Sequence, residues 1–313
     1  MDSLPKPEVI CTHESDLDGL VSGMLLQRLA KKLFGEEPRL EAFHNHNWRQ
    51  RALPEKAAWV CDLTFEPRLD RQNWLVIDHH VTETAPKRAQ LIHDPKKSAG
   101  LLVYELCQRH DIRSAALDEV VHLSNLADLY QDDHPDFLRA TDYGSLVKIY
   151  GFWNVWELIG GQLENLINHP LLEVMAVKTR VENPLGYEWS RKHITEISPE
   201  IGFVDTVVGN INWIVHQLLE KNDTPFPVLL TLFRKGKGTM IVSLRSKRGE
   251  AVKLAEKLMG GGHANAAGAT LPRSIQDVNS AVAYLRQQFA PVAPPVEDVA
   301  SLESAFESLD KTK

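Results

Sequence analysis

Glu8-Val9-Ile10-Cys11-Thr12-His13-Glu14-Ser15-Asp16-Leu17-Asp18-Gly19 is the stretch on which the fold of this chain turns. It opens with a short apolar run, Glu8 to Cys11, of strand type. It then breaks into a loop carrying His13, Asp16 and Asp18. Leu20 to Phe34 follows, with Leu20, Met24, Leu25, Leu29 and Leu33 at helical spacing and Gly35 placed to stop it. The device recurs downstream. Leu40 to Phe43 is a second strand candidate, Ala57 to Cys61 a third that ends at Asp62, and Trp74 to Ile77 a fourth that ends at Asp78-His79-His80. Ser98 to Arg109 and Leu117 to Leu129 read as helices. Strands alternating with helices predict an α/β fold with a parallel sheet. In open sheets of this kind ligands bind outside the carboxyl ends of the strands. Three strand ends bearing acids or histidines therefore predict one shared crevice.

From Leu146 to Asn183 the pattern is helical and includes Trp153 and Trp156. A boundary is expected between Asn183 and Ile197. Beyond it a second α/β segment begins. Phe226 to Phe233 and Thr239 to Leu244 read as a hairpin around Arg234-Lys235-Gly236-Lys237-Gly238, and a short helix, Glu250 to Leu258, leads into Gly260-Gly261-Gly262-His263. The end of the chain, from Pro291, is Pro-rich and then acidic, and reads as a loosely docked tail. The expected organisation is two α/β domains, 1–150 and a smaller 196–290, with a helical connector at 151–195, a tail at 291–313 and a cleft between the domains.

The formal net charge of -7 argues against a long-duplex binder, which would present a basic face to the phosphates. It allows a small phosphorylated ligand held by a few local cations. Cys11, Cys61 and Cys107 form neither a disulfide framework nor a zinc pair, which points to a reducing compartment. The N-terminus Met-Asp-Ser-Leu-Pro-Lys-Pro has no signal pattern, and no apolar run reaches membrane-spanning length. A cytoplasmic location without a membrane partner is expected.

Asp16 and Asp18 stand one residue apart in a strand-to-helix loop. Carboxylates so close repel unless a cation sits between them, although a turn with Asp18 as helix N-cap accounts for the pair equally well. Asp62 alone reads as an Asp that starts a turn. In Asp78-His79-His80 imidazole and carboxylate together suit manganese, iron or zinc; a polar strand end with surface histidines is the plain alternative. Gly260-Gly261-Gly262-His263 can turn backbone N–H groups toward an anion, with a side-chain donor from His263. Upstream, Ser243-Leu244-Arg245-Ser246 sets a guanidinium, suited to bidentate phosphate contact, at a strand end.

Taken in order, His13-x-x-Asp16-x-Asp18-Gly19, Asp62, Asp78-His79-His80, Ser243-Leu244-Arg245-Ser246 and Gly260-Gly261-Gly262-His263-x-x-Ala266-Ala267-Gly268 resemble the DHH phosphoesterase family with its associated C-terminal domain. The likeness runs from about residue 8 to about 290. It implies a hydrolase with two manganese ions, for which magnesium or cobalt can substitute. His13, Asp16 and Asp62 would hold one ion; Asp18, Asp62, His79 and a fourth-motif Asp would hold the other, with Asp62 bridging. The fourth-motif Asp falls at Asp128, with Asp132 in reserve. The resemblance gives Asp78 and His80 the catalytic positions, His80 beside the phosphoryl oxygen, and gives Ser243, Arg245, Gly260, Gly261, Gly262 and His263 the substrate. One departure stands out: Asp16 follows His13 by three residues, where many relatives have four or two. The implied partner is a short nucleotide or oligonucleotide: short oligoribonucleotides, linear or cyclic dinucleotides, or a nucleoside 3′,5′-bisphosphate. A non-catalytic nucleotide-binding relative and a single-strand exonuclease are the alternatives, and self-association as a homodimer stays open.

Overall fold

The computed structural model describes residues 4–82, 84–235 and 238–290. Gly236 and Lys237 of the expected hairpin loop, and the expected tail at 291–313, lie outside them. The described residues form two compact units, one up to Val177 and one from Lys178.

The first unit is built on β1 (Val9–His13), α1 (Leu17–Phe34), β2 (Arg39–Phe43), α2 (Asn45–Gln50), β3 (Ala58–Cys61), β4 (Trp74–Asp78) and β5 (Gln90–His93). The strands make a five-stranded sheet in the order β2-β1-β3-β4-β5, every neighbouring pair parallel. Successive residues of a strand point to opposite faces, and here both faces are covered. Ile10, Trp59, Cys61, Leu75 and Ile77 pack into one core, while Val9, Cys11, Val60, Trp74 and Val76 pack into another. Burial on both sides is why these strands read as continuous apolar runs rather than alternating ones.

The helices α3 (Ala99–Gln108), α4 (Ala115–Asp128), α5 (Phe137–Tyr150) and α6 (Phe152–Leu158) follow. α1, α3, α4 and α5 supply the larger core, joined by Phe152, Val155, Leu163, Leu166 and Met175 from the helical stretch beyond residue 150. The division between units falls inside α7 (Pro170–Ser190).

The second unit has a six-stranded mixed sheet in the order β10-β11-β9-β8-β7-β6. Its strands are β6 (Ile194–Ser198), β7 (Ile201–Val204), β8 (Val228–Lys235), β9 (Thr239–Ser246), β10 (Gly261–His263) and β11 (Ala266–Thr270). Only β7 and β8 pair in parallel. α8 (Ile211–Glu220), α9 (Glu250–Lys257) and α10 (Val278–Phe289) complete it.

One sequence expectation is corrected. α1 begins at Leu17, a turn before Leu20, and its N-cap is Asp16, whose side chain accepts from Gly19 N–H; Asp18 is not the cap but a buried first-turn residue. Gly261 and Gly262 lie with His263 in the edge strand β10, so part of their backbone is committed to pairing with β11. The backbone demands glycine at 260 and 262 for steric reasons: a Cβ on Gly260 would stand 2.2 Å from the Gly268 carbonyl oxygen, and one on Gly262 2.6 Å from that of Ala266. Among the described residues no helix is long and apolar enough to cross a membrane.

Candidate metal centre

Every acidic or imidazole group expected from the first four strands and helices arrives at one end of the parallel sheet. β1 ends at His13, β4 ends at Asp78 with His79 and His80 beyond it, and Asp62 follows β3 directly. Asp62 N–H bonds the Ile77 carbonyl across to β4 at 3.1 Å. Its φ of 53° lies in the left-handed region, unusual for a side-chain residue but tolerated best by Asp and Asn. α1 brings Asp16 and Asp18 at its N-terminus, and α4 brings Asp128 as its last residue.

The donors fall into two sets. His13, Asp16 and Asp62 offer ligand atoms within 4.8 Å of one another, as do Asp18, His79 and Asp128. Asp62 serves both sides: one oxygen lies 3.4 Å from His13 Nδ1, and the other lies 3.7 Å from His79 Nε2. His13 Nδ1 is also 2.9 Å from Asp16 Oδ2, so the three-residue spacing still delivers the imidazole to the cluster. His79 Nε2 stands 3.3 Å from Asp128 Oδ2. Asp62, His79 and His80 form a further, overlapping set.

The fit to a cation rests on atoms without partners. Asp18 Oδ2, Asp62 Oδ2, His79 Nε2 and Asp128 Oδ2 are buried and make no hydrogen bond among the described residues. Buried polar atoms are normally satisfied, and a cluster of them facing one another calls for a cation. Electrostatics agree. Burial and the neighbouring Asp62 push the Asp18 carboxyl up to about 7, and burial with Asp18, Asp62 and Asp16 holds Asp128 well above the usual range. Burial would raise Asp16 too, but His13 beside it holds that carboxyl well below its ordinary value. Burial opposes charge on His13, yet Asp16 and Asp62 overcome it and push the imidazole up to about 11. Mixed imidazole and carboxylate donors suit a divalent first-row metal.

Asp78 stands apart from these sets. It is fully buried, and His80 Nδ1 lies 2.7 Å from its Oδ1. Burial works against an imidazolium at His80, but Asp78 pushes it up to about 9. Asp78 thus anchors the His80 ring.

Sequence reasoning missed the groups that hold Asp18. Gly100 N–H and the Ser124 hydroxyl donate to Asp18 Oδ1 at 3.0 and 3.1 Å, leaving Oδ2 for the cluster. A Cβ on Gly100 would stand 2.7 Å from that same oxygen. Ser98, read from the sequence as the first residue of α3, is its N-cap; Gly100 and Ser124 carry no signal of their own. Gly19 is equally constrained, since a Cβ there would lie 2.0 Å from the His13 carbonyl oxygen.

In the second unit, His263 pairs with Ala266 and Ala266 with Arg245, while Gly261 pairs with Gly268 and Gly268 with Ser243. Paired residues share a face of the sheet, so Ser243, Arg245 and His263 lie on one face. Arg245 is fixed there by its Nη1 donating to Ser243 Oγ at 3.1 Å and its Nη2 donating to Asn212 Oδ1 of α8 at 3.2 Å. Asn212 is the further residue that the sequence did not single out.

Residues 203–290 match the DHHA1 domain family. No curated protein sequence matches the chain. Among solved structures, the chain is similar to the pGpG-specific phosphodiesterase PggH from Vibrio cholerae at 18% identity and a TM-score of 0.55, over 92% of this chain and 100% of that one. It is similar to a manganese-bound exonuclease RecJ at 16% identity and a TM-score of 0.52, over 94% and 93% of the two chains. RecJ from Thermus thermophilus in complex with Mn2+ aligns at 16% identity and a TM-score of 0.50, over 91% of this chain and 52% of that one. At such identities the likeness is one of fold. The chain therefore joins a segment that matches the DHHA1 domain family, residues 203–290, to a fold shared with these solved structures over more than 90% of its length.

Proposed function

We propose that the chain is a manganese-dependent phosphohydrolase that cleaves phosphodiester or phosphomonoester bonds of short nucleotides. The observation that carries this reading is the pair of donor sets with Asp62 reaching toward both His13 and His79, with buried oxygens that have no hydrogen-bond partner among the described residues. His13, Asp16 and Asp62 would hold one ion, and Asp18, Asp62, His79 and Asp128 the other. When bound, two such ions supply Lewis acidity to the phosphoryl oxygens and lower the pKa of water. Gly100 and Ser124 keep Asp18 turned so that only one of its oxygens remains for coordination. Asp78 accepts a hydrogen bond from Nδ1–H of His80, which fixes the ring and assigns the second nitrogen, Nε2, to a substrate oxygen. Ser243, Arg245 and His263, one face of the second sheet, bind the nucleotide's phosphates, and the free edge of β10 adds backbone donors from the glycine run.

The net charge of -7 and a basic set limited to Arg234, Lys235, Lys237, Arg245, Lys247 and Arg248 favour a ligand with few phosphates over a long strand. PggH acts on pGpG, and a linear dinucleotide is the substrate we would try first. The test is turnover with manganese on a linear dinucleotide, a short RNA, a cyclic dinucleotide, a nucleoside 3′,5′-bisphosphate and pyrophosphate, with metal counted per chain. Two manganese ions and cleavage of a short nucleotide support the reading. Cleavage of pyrophosphate alone overturns the substrate class, and neither metal nor turnover would make the chain a binding relative.

A further inference from the structure

A second group of metal-ligating side chains lies outside the cluster just described. His122 stands on α4, and His134 and Asp136 stand in the loop that joins α4 to α5. Their ligand atoms lie within 4.8 Å of one another. His122 Nε2 is 3.6 Å from Asp136 Oδ2, His134 Nδ1 is 3.9 Å from the same oxygen, and the two imidazole rings meet edge to face at 5.1 Å. In a tetrahedral site with bonds of about 2.0–2.1 Å, ligand atoms stand roughly 3.3 Å apart. The observed separations need only small side-chain rotations to close on an ion.

Three features set the arrangement apart from chance proximity on a surface. Asp136 occupies the N-cap position of α5, where an Asp side chain ordinarily accepts a backbone N–H of the first turn. Here it makes no cap hydrogen bond, and its carboxylate faces the two imidazoles instead. The loop is held by its backbone: Gln131 N–H bonds Leu126 O at 3.0 Å, His134 N–H bonds Gln131 O at 3.2 Å, and Phe137 N–H bonds His134 O at 3.0 Å. Pro135, between the two loop ligands, restricts the backbone further. The nearest cation on α5, Arg139, is engaged by Glu119 of α4 and does not compete for Asp136.

We propose that His122, His134 and Asp136 form a separate site for one divalent transition-metal ion of the zinc type, with its remaining coordination open to solvent. Two imidazoles and one carboxylate match zinc better than magnesium or calcium, which prefer all-oxygen sets. Binding exchanges one contact: Asp136 N–H donates to His134 Nδ1 at 3.1 Å, and the ion takes that lone pair in its place. The ligands bracket the segment after Asp128, the last residue of α4. An ion there ties the end of α4 to the start of α5.

The site is tested on the full chain, first loaded with manganese and then dialysed against zinc, with both metals counted per chain. His122→Ala with His134→Ala, and Asp136→Asn separately, are compared with the wild type; His193→Ala, an exposed histidine elsewhere, is the control. The expected result is one zinc fewer per chain in the double variant, weaker zinc retention in Asp136→Asn, and a zinc-dependent rise in melting temperature that the wild type and the control show but the double variant lacks. Equal zinc content in the wild type and the double variant overturns the proposal. Zinc taken up only in exchange for released manganese overturns it as well, because that zinc would have occupied the other cluster. All three residues are partly exposed, so melting temperature in chelator should be the same for every variant, which separates loss of the site from loss of the fold.

Discussion

Asp62 concentrates the chemistry of the first unit in a single side chain. One of its oxygens faces His13 and the other faces His79, and it holds this position from a left-handed backbone. Asn tolerates that conformation nearly as well as Asp, whereas Ala does not. Asp62→Asn is therefore the clean test: manganese binding and manganese-dependent turnover should fall to background while the chelated protein keeps its melting temperature or gains a little, since one of several crowded carboxylates is gone. Turnover at the wild-type rate would remove Asp62 from the site. Gly100 gives a second test. Helix propensity alone predicts that Gly100→Ala stabilises α3, yet its Cβ would meet Asp18 Oδ1 at 2.7 Å. We expect manganese affinity to drop by about 10–100-fold, the usual cost of disturbing a group that orients a ligand. A titration of metal against activity checks it. Neither Gly100 nor Ser124 was legible in the sequence, because their contacts with Asp18 span 82 and 106 positions and follow no local pattern.

At the level of elements, α1 shows how a cap and a candidate metal ligand share one side chain. Asp16 Oδ1 accepts Gly19 N–H at 3.1 Å, and Oδ2 faces His13 Nδ1 at 2.9 Å. The two roles separate by substitution. Asp16→Asn should keep the cap and the stability of the chelated protein, while Asp16→Ala should cost about 1 kcal/mol by denaturant unfolding; both should lose manganese-dependent turnover. A substantial stability loss in the Asn variant would show that the negative charge, and not the cap, holds the helix start. The strands of the first unit were legible because β1, β3 and β4 are apolar runs buried on both faces that stop abruptly at charged residues. β5 was not, since all four of its residues are only partly buried. β10 was not, since three glycines in a row followed by a histidine have low strand propensity and pair only because β11 offers small residues opposite. The start of α1 was misjudged because the acidic pair hid which Asp was the cap.

For the whole molecule, the decisive fact is that the buried acids belong to one compact unit and the face bearing Arg245 and His263 to the other. Chains of two compact units need not unfold in one step. Metal and nucleotide should then act on different transitions. A ligand that binds only the folded state adds stability as RT ln(1 + [L]/Kd), about 2.7 kcal/mol at a hundredfold excess over Kd. For a unit of this size each kcal/mol moves the midpoint by roughly 2–4 °C. Manganese at that excess should thus raise the melting of the first unit by about 5–10 °C per site filled, followed by the near-ultraviolet signal of Trp59 and Trp74, which are buried in it. The second unit, reported by Trp213 on α8, should not respond to manganese alone. In chelator the first unit should melt earlier, because Asp18, Asp62 and Asp128 then face one another with no cation between them. Calorimetry of the wild type beside single-tryptophan variants separates the two signals. If manganese raises both transitions equally while the first-unit ligands are intact, the units unfold together and the assignment of metal binding to the first alone loses its thermal signature. If Asp62→Asn abolishes the shift of the first transition and leaves the second where it was, metal stabilisation belongs to the ends of the parallel strands.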